Sequence, residues 1–218
     1  MSSESATPKR AYDATRRRER AEEERRATRN RVIGAATALF AERGYTATTM
    51  ADIARVAGVS MQSVYSAGRS KADLLHAAVD LAVAGDDQEV LVHERPLFQA
   101  VAAEPDPARQ VQMLADLICT IQERSEFIRA AEREGAAVEP ILAEHLQAAH
   151  RRRYETFRTG IAMLPADRLR YSPEECTETA WAVASTDVFM LLRHVRGWTW
   201  AQILPWLART LIDLLLVP

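Results

Sequence analysis

Apolar residues recur at helical spacing from residue 32 onward. The positions of this first stripe share one side of a helix with 3.6 residues per turn: Val32, Ile33, Ala36, Leu39 and Phe40. Gly44 follows the stripe, and glycine is favoured just after a helix because the chain often turns left-handed there. The pattern therefore predicts an amphipathic helix that ends at Gly44.

The segment before this stripe is polar. Residues 9–31 carry dense charge of both signs, and two pairs, Arg18–Glu22 and Glu22–Arg26, stand four residues apart. Opposite charges at that spacing face each other on a helix. Residues 9–31 are thus predicted to form a solvated helix, and we interpret residues 1–27 as a charged, flexible extension.

Three short helices are predicted next. Thr49–Asp52 has the Thr-x-x-Asp form of a capping box, and Gly58 ends the helix that it begins. Ser60 is placed to cap a third helix, and Ser70–Asp73 begins a fourth. The tight spacing of Gly58 and Ser60 leaves room only for a turn.

The remainder of the chain is predicted to form longer helices, because it has no alternating strand pattern and no internal repeat. Proline is tolerated in the first turn of a helix, which helps to locate their starts. The predicted helices run from Asp106-Pro107 to about Arg124, over 125–135 to Gly135, from Pro140 to about Met163, from Ser172-Pro173 through Val195, and from Thr199 onward with a kink at Pro205. The fold class is all-α: a three-helix head and a larger helical body.

Composition and charge narrow the class of protein. Of 218 residues, 48% are hydrophobic and 27% are charged, which is typical of a soluble globular chain. No apolar run is long enough for a membrane span and residues 1–10 lack the core of a signal peptide, so we expect a cytoplasmic protein with no membrane contact. Residues 1–80 hold 14 Lys/Arg against 10 Asp/Glu, and the rest hold 14 against 20. A basic head on an acidic body suits a protein with one end against a polyanion.

The segment from Val32 to Leu75 has the layout of a helix-turn-helix. A supporting helix is followed by a short helix, a Gly-containing turn and a second short helix. That turn makes the second short helix protrude, so its first residues can enter a major groove.

The same segment resembles the head of the tetracycline-repressor (TetR) family. The resemblance covers about 45 residues, from roughly Arg31 to Leu75, and its elements stand in order: Ala-Ala and Leu-Phe in the first helix, Gly-Tyr-x-x-Thr-Thr, Ile-Ala, Ala-Gly-Val-Ser, a Tyr, and Ser-Lys with a following Leu. It implies a DNA-binding domain at 28–75 and a helical ligand-binding and dimerisation domain at 76–218.

The resemblance assigns DNA-binding roles by position. Ser60, Met61, Gln62 and Ser63 line the groove, and Gln62 is the predicted base contact because an amide pairs bidentately with adenine. The residues predicted to hold phosphates are Thr49, Tyr65 and Lys71; Thr49 can also act as a cap, and Tyr65 can instead be a half-buried core residue.

One departure from the family pattern lies after Tyr65. The family usually has an aromatic residue before the Ser-Lys pair, whereas this chain has Gly68. Either the recognition helix gains backbone freedom, or Tyr65 compensates for the missing ring.

The last two helices of the body also look like those of many family members, where they form the dimer as a four-helix bundle. Their apolar side chains exceed what a terminal hairpin needs, and a two-fold dimer is the commonest cover for such a surface. The alternative is that this face packs on the core of the body itself. The predicted dimer residues are Val188, Leu191, Leu192, Val195, Ile203, Leu207, Leu211 and Leu214.

A sensor pocket is predicted among the middle helices, since ligand sites are mostly apolar with a few polar anchors. The candidate apolar lining is Met113, Leu117, Phe127, Trp181 and Phe189, with Arg124 or His145 as the polar anchor. We expect an apolar or amphipathic effector to favour a head spacing that no longer matches a palindromic operator, so that double-stranded DNA is released from the homodimer.

Two other classes of function are alternatives to this one. For an enzyme or metal site, His145 and His150 are five residues apart, which misaligns them on a helix, and Cys119 and Cys176 belong to no CxxC motif. We expect no enzyme activity, cofactor or metal. The second class is a helical interaction protein with a degenerate head, supported by Gly68. The charged segment at 9–31 either faces water only or reaches DNA phosphates.

Overall fold

A computed structural model describes residues 9–85 and 96–218, and the first eight residues of the predicted extension lie outside them. The chain divides into two compact units, residues 1–78 and 79–218. Within the described ranges the structure is helical, and the only extended pairing is an isolated antiparallel bridge between Leu169 and Leu216. None of the described helices is both long enough and apolar enough to cross a membrane.

The first unit is built on one long helix. The helices that begin in this unit are α1 (Lys9–Arg43), α2 (Met50–Ala57), α3 (Met61–Ala67) and α4 (Lys71–Ala84). Because α1 is continuous over 35 residues, the boundary expected at residue 28 falls inside a helix. The predicted pairs Arg18–Glu22 and Glu22–Arg26 are not formed, since neither comes within the 4.0 Å of an ion pair. The charged part of α1 thus gains nothing from them.

The core of the first unit is the predicted apolar stripe. Val32, Ile33, Ala36, Leu39 and Phe40 are all buried, and α2 and α3 pack on α1 and on each other. Gly44 follows α1 with a positive φ of 80°. A positive φ of 65° at Gly58 likewise ends α2.

The end of α3 is closed against α4. Gly68 N–H donates to the Val64 carbonyl, and the backbone of Gly68 is extended, a conformation that any residue adopts. Glycine is needed there for space, because an added Cβ would lie 2.6 Å from Cδ2 and 2.8 Å from Cγ of the buried Leu74. Tyr65 does not replace the missing ring, as its side chain is 51% exposed. The side chain of Leu74 instead packs directly against Gly68.

The second unit is a helical body. Its elements are α5 (Pro96–Ala103), α6 (Pro107–Ser125), a 3₁₀ turn (Glu126–Ile128), α7 (Arg129–Val138), α8 (Pro140–Ala162), a 3₁₀ turn (Ala166–Arg168), α9 (Pro173–Val183), α10 (Thr186–Met190), a π-helical turn (Leu191–Val195) and α11 (Trp200–Leu215). Helix α11 packs on α6 and α9, and α8 packs on α7 and α9.

Two helices in this unit differ from the sequence prediction. The helix placed at 125–135 begins with the 3₁₀ turn and continues past Gly135 to Val138. The single helix from Pro173 to Val195 is interrupted at Ala184, and Ser185 caps a new helix by accepting from Val188 N–H. A serine that offers its oxygen to the backbone favours such a cap over the interior of a helix.

The core of the second unit contains three of the predicted dimer residues. Ile203, Leu207 and Leu211 are buried among apolar side chains of α6 and α9, such as Val111 and Ala180. They are therefore core residues and not part of a surface for a partner. The predicted dimer residues left at the surface are Leu191, Val195 and Leu214, with Val188 and Leu192 half-buried.

The close packing of Gly68 gives a stability prediction with an internal control. Gly68→Ala is expected to lower the free energy of unfolding by about 1–3 kcal/mol, because the new methyl group displaces the buried Leu74. Gly34→Ala adds the same methyl group on α1, where nothing lies within 4 Å. That control is expected to stabilise the chain by about 0.5–1 kcal/mol, since glycine weakens a helix interior.

Urea unfolding of the two variants, followed by circular dichroism, measures both effects. Gly68→Ala as stable as the wild type would show that Leu74 moves aside freely.

Candidate nucleic-acid interface

Helix α3 is anchored by a single buried side chain. Val64 is fully buried, while Met61, Gln62 and Tyr65 are exposed. Because α3 also packs on α1 and α2, its exposed side is held at a fixed angle to the rest of the head. This leaves a short, rigidly placed helix with most of its side chains in water.

The N-terminus of α3 is capped by a pair of serines. Ser60 Oγ accepts from Ser63 N–H at 3.2 Å, and the two hydroxyl oxygens lie 3.0 Å apart. Further along the helix, Ser66 Oγ donates to the backbone carbonyl of Gln62, and the side chain of Gln62 is exposed. A helix N-terminus with hydroxyl groups suits an anion because unpaired N–H groups and the helix dipole both favour negative charge there.

Helix α2 begins with a Thr49 cap, and the same hydroxyl group lowers the pKa of Asp52. Thr49 Oγ1 accepts from Asp52 N–H at 3.1 Å, and the Thr49 hydroxyl lies 2.7 Å from Asp52 Oδ2, to which it donates. The Thr49 bond and then the Arg55 guanidinium, at 3.0 Å, hold the pKa of Asp52 below its usual value. Asp52 therefore stays ionised at the positive end of α2, with Arg55 offsetting its charge.

Lys71 already makes two contacts with Tyr45 inside the head. Its Nζ donates to the Tyr45 carbonyl at 2.9 Å and lies 4.1 Å from the centre of the buried Tyr45 ring, which stacks on Phe40. An ammonium group has three donors, so two remain for a phosphate. The phosphate role of Lys71 stays a prediction, and its contact with Tyr45 fixes the loop before α2.

The predicted sensor residues do not share one environment. Phe189 lies in the body core against Trp200, with ring centres 5.7 Å apart, whereas Phe127 is exposed. Arg124 is not a free polar anchor, because it donates to the carbonyls of Ala82 and Val83 at the end of α4. Met113, Leu117, His145 and Trp181 are half-buried on α6, α8 and α9.

An aromatic cluster lies between α8 and α9, and of its members only Trp181 is among the predicted sensor residues. It consists of His150, Tyr154, Phe157 and Trp181 around Arg153, whose guanidinium lies 4.7 Å from the Phe157 ring centre and 5.5 Å from that of Trp181. Arg153 also donates to the carbonyls of Trp181 and Ala184 at 2.8 and 2.6 Å. In sequence it stands in a run of three arginines, and nothing in that run marks the one that turns inward.

The aromatic cluster contains two polar groups, on Arg153 and Trp181, whose charge or hydrogen-bond donor is not matched by a neighbouring side chain in the described part of the chain. Burial first, and then the charge of Arg129, lowers the pKa of Arg153 to about 10. Among the described residues no carboxylate lies within 4.0 Å of Arg153, and no acceptor bonds the buried Nε1 of Trp181. Even a half-buried cation is costly without a partner of opposite charge.

A second group missed by the sequence surrounds Glu126. Its carboxylate accepts from Arg193 Nε at 3.0 Å and from Trp200 Nε1 at 3.0 Å, and His194 Nε2 lies 3.2 Å away. These contacts tie the π-helical turn and the start of α11 to the 3₁₀ turn after α6. Leu191 and Val195, exposed by 57% and 71%, lie on that same π-helical turn.

Comparisons with known proteins agree with this geometry. The model of the family "Bacterial regulatory proteins, tetR family" matches residues 32–78. The HTH-type transcriptional regulator TtgR of Pseudomonas putida is 43% identical over 61 residues, which are 28% of this chain. The chain thus spans 29% of the length of that relative.

Solved structures share the fold over nearly the whole chain. NalD of Pseudomonas aeruginosa, the secondary repressor of the MexAB-OprM multidrug efflux pump, superposes with a TM-score of 0.63 at 21% identity, over 89% of this chain and 98% of its own. A putative transcriptional regulator from Saccharomonospora viridis in complex with choline has a TM-score of 0.66 at 18% identity, over 87% and 98%. Residues 32–78 are therefore similar to the head of the tetR family of bacterial regulatory proteins, and most of the chain shares the fold of these solved structures.

Proposed function

We propose that this protein is a ligand-responsive transcriptional repressor that binds palindromic operator DNA as a homodimer. The observation that carries the proposal is α3, a helix with one buried side chain and a capped, polar N-terminus. Its exposed residues Met61, Gln62 and Tyr65 have the size and polarity to reach base edges and phosphates.

The phosphate contacts in this proposal are Thr49, Tyr65 and Lys71, with Ser60 and Ser63 at the start of α3. Ser60 and Ser63 bond each other in the free protein, so a phosphate would share their hydroxyl groups and not find them unused. A palindromic operator follows from two-fold symmetry, which presents two copies of α3 to successive major grooves about 34–36 Å apart.

The exposed apolar side chains of the π-helical turn and α11 support the homodimer. Leu191, Val195 and Leu214 face water in the single chain. Covering them with the same residues of a second copy removes apolar surface from water, at roughly 25 cal/mol per Å².

The aromatic cluster supports an effector site in the body. A ligand with an aromatic or apolar part would pack on Trp181 and Tyr154, while a polar or anionic group would bind Arg153 and accept from Trp181 Nε1. We propose an amphipathic effector of this kind, whose binding changes the head spacing of the dimer and releases the operator.

The alternative hypothesis is that the protein is a helical interaction protein whose head no longer binds DNA. Selection of bound duplexes from a random pool by the full chain separates the two. Enrichment of a palindrome supports the repressor, whereas no enrichment at low salt supports the interaction protein.

Gln62→Ala is expected to reduce discrimination at one base pair of each half-site. Loss of a bidentate amide–adenine pair removes about 1–3 kcal/mol of preference, or roughly 5- to 150-fold. Competition binding with single-base variants of the selected duplex measures it. Gln112→Ala, which removes an exposed glutamine from α6, is the matched control. An unchanged base preference in Gln62→Ala would remove this residue from the base contacts.

The dimer surface is tested by placing charge on it. The double variant L191E/V195E is expected to weaken association at least ~100-fold, about 2.8 kcal/mol at 1.4 kcal/mol per tenfold change, because four carboxylates would have to be buried. The control is V138E/I141E, which alters two other exposed apolar residues, 58% and 44% exposed.

Sedimentation at micromolar concentration is the measurement. The wild type and the control should run at twice the 24.4 kDa of one chain, and L191E/V195E at one. A wild-type mass of one chain contradicts the homodimer.

The effector site is tested with compounds that release the selected duplex from the wild type. Trp181→Leu is expected to raise the concentration for half-release at least about tenfold, through loss of packing and of a donor, without changing DNA affinity in the absence of compound. Phe127→Leu, at an exposed position, should leave the value unchanged. The reverse ranking of the two variants would move the site away from the aromatic cluster.

A further inference from the structure

The charged part of α1 is not uniform around the helix. Residues 16–31 carry eight arginines and four glutamates, and none of these side chains is buried. They belong to the same uninterrupted helix as the buried stripe of the head. The side of α1 on which each arginine lies is therefore fixed by its spacing from that stripe.

Four of these arginines continue the buried face of α1. Arg17 and Arg18 precede the buried Ala35 and Ala36 by 18 residues, which is five turns of an α-helix. Arg25 and Arg29 stand seven and eleven residues after Arg18, at the spacing that keeps side chains on one side. We call Arg17, Arg18, Arg25 and Arg29 the arginine stripe.

The opposite side of the helix is closer to neutral. Arg16, Arg20 and Arg31 lie there together with Glu19 and Glu23. Arg26 and Glu24 lie at the borders between the two sides, and Glu22 borders the arginine stripe. The helix thus presents an excess of positive charge on the side that, further along, packs against α2 and α3.

The arginine stripe has no ion-pair partner among the described residues. Within the part of the chain that the structure describes, no carboxylate lies within 4.0 Å of any of its four members. By contrast, Arg31 on the other side donates to Thr28. Four like charges in a row repel one another, and a polyanion laid along them relieves that repulsion.

We propose that the arginine stripe is a second DNA-binding surface, which holds the phosphate backbone beside the base pairs that α3 reads. This proposal rests on the proposed function, because it needs α3 on DNA. From Arg17 to Arg29 the helix rises about 18 Å at 1.5 Å per residue, a length along which a duplex carries roughly ten phosphate charges. The contacts are sequence-independent and add affinity without adding base preference.

Salt dependence of binding tests the proposal. The variant R18Q/R25Q/R29Q of the full chain is measured by fluorescence anisotropy on two duplexes of about 30 base pairs, one selected from a random pool and one of scrambled sequence. Each phosphate contact contributes about 0.9 to the slope of log affinity against log salt. We expect the slope to fall by about 3 per chain, and affinity near 0.1 M salt to fall at least tenfold on both duplexes.

A matched variant separates position from net charge. R16Q/R20Q/R31Q removes the same charge from the opposite side of the helix, and we expect it to keep most of the wild-type slope. Circular dichroism melting confirms that both variants are folded.

Equal losses in the two variants, or no loss in R18Q/R25Q/R29Q, would overturn the proposal while leaving α3 as the DNA reader. A wild-type chain that binds neither duplex at low salt would instead overturn the proposed function, and this inference with it.

Discussion

The packing of α2 and α3 on one face of α1 is the constraint on which the head depends. A seven-residue helix such as α3 is too short to be stable alone in water. It exists because Val64 is buried where α3 packs on α1 and α2. The same burial fixes which α3 side chains face outward. The positions of the exposed α3 side chains are therefore set by a few buried apolar side chains beneath them.

The sequence predicted best what is decided locally. The caps at Thr49, Ser60 and Asp106 form as their residue types indicate, because an N-cap needs only a side-chain oxygen and the next few N–H groups. The all-α class followed from the same signals, and the resemblance of residues 31–75 to the tetR family agrees with the family model that matches residues 32–78. The helix boundary at Ala184 was missed, since the apolar periodicity continues through it and only the cap at Ser185 marks the break.

Contacts between distant elements could not be predicted from one sequence. Arg124 and Arg153 each reach across to the carbonyl end of another helix, and Glu126 collects donors from Arg193 and Trp200. Such pairs are separated by tens of residues, and one arginine in a charged run looks like any other. For the same reason the sequence pattern places Ile203, Leu207 and Leu211 among the dimer residues, because periodicity shows that a helix has an apolar face but not what covers it.

Because α1 is unbroken, a small rotation of the head moves the N-terminal part of α1 over a larger distance. Arg17 lies about 22 Å beyond Val32 along the axis, at 1.5 Å per residue. A tilt of the head by roughly 10° would therefore carry the far arginines about 4 Å sideways, which exceeds the reach of a hydrogen bond. Small rotations that α3 could tolerate within its groove would be amplified at the tip of α1. A continuous helix would thus turn a slight misfit on DNA into the loss of several contacts at once.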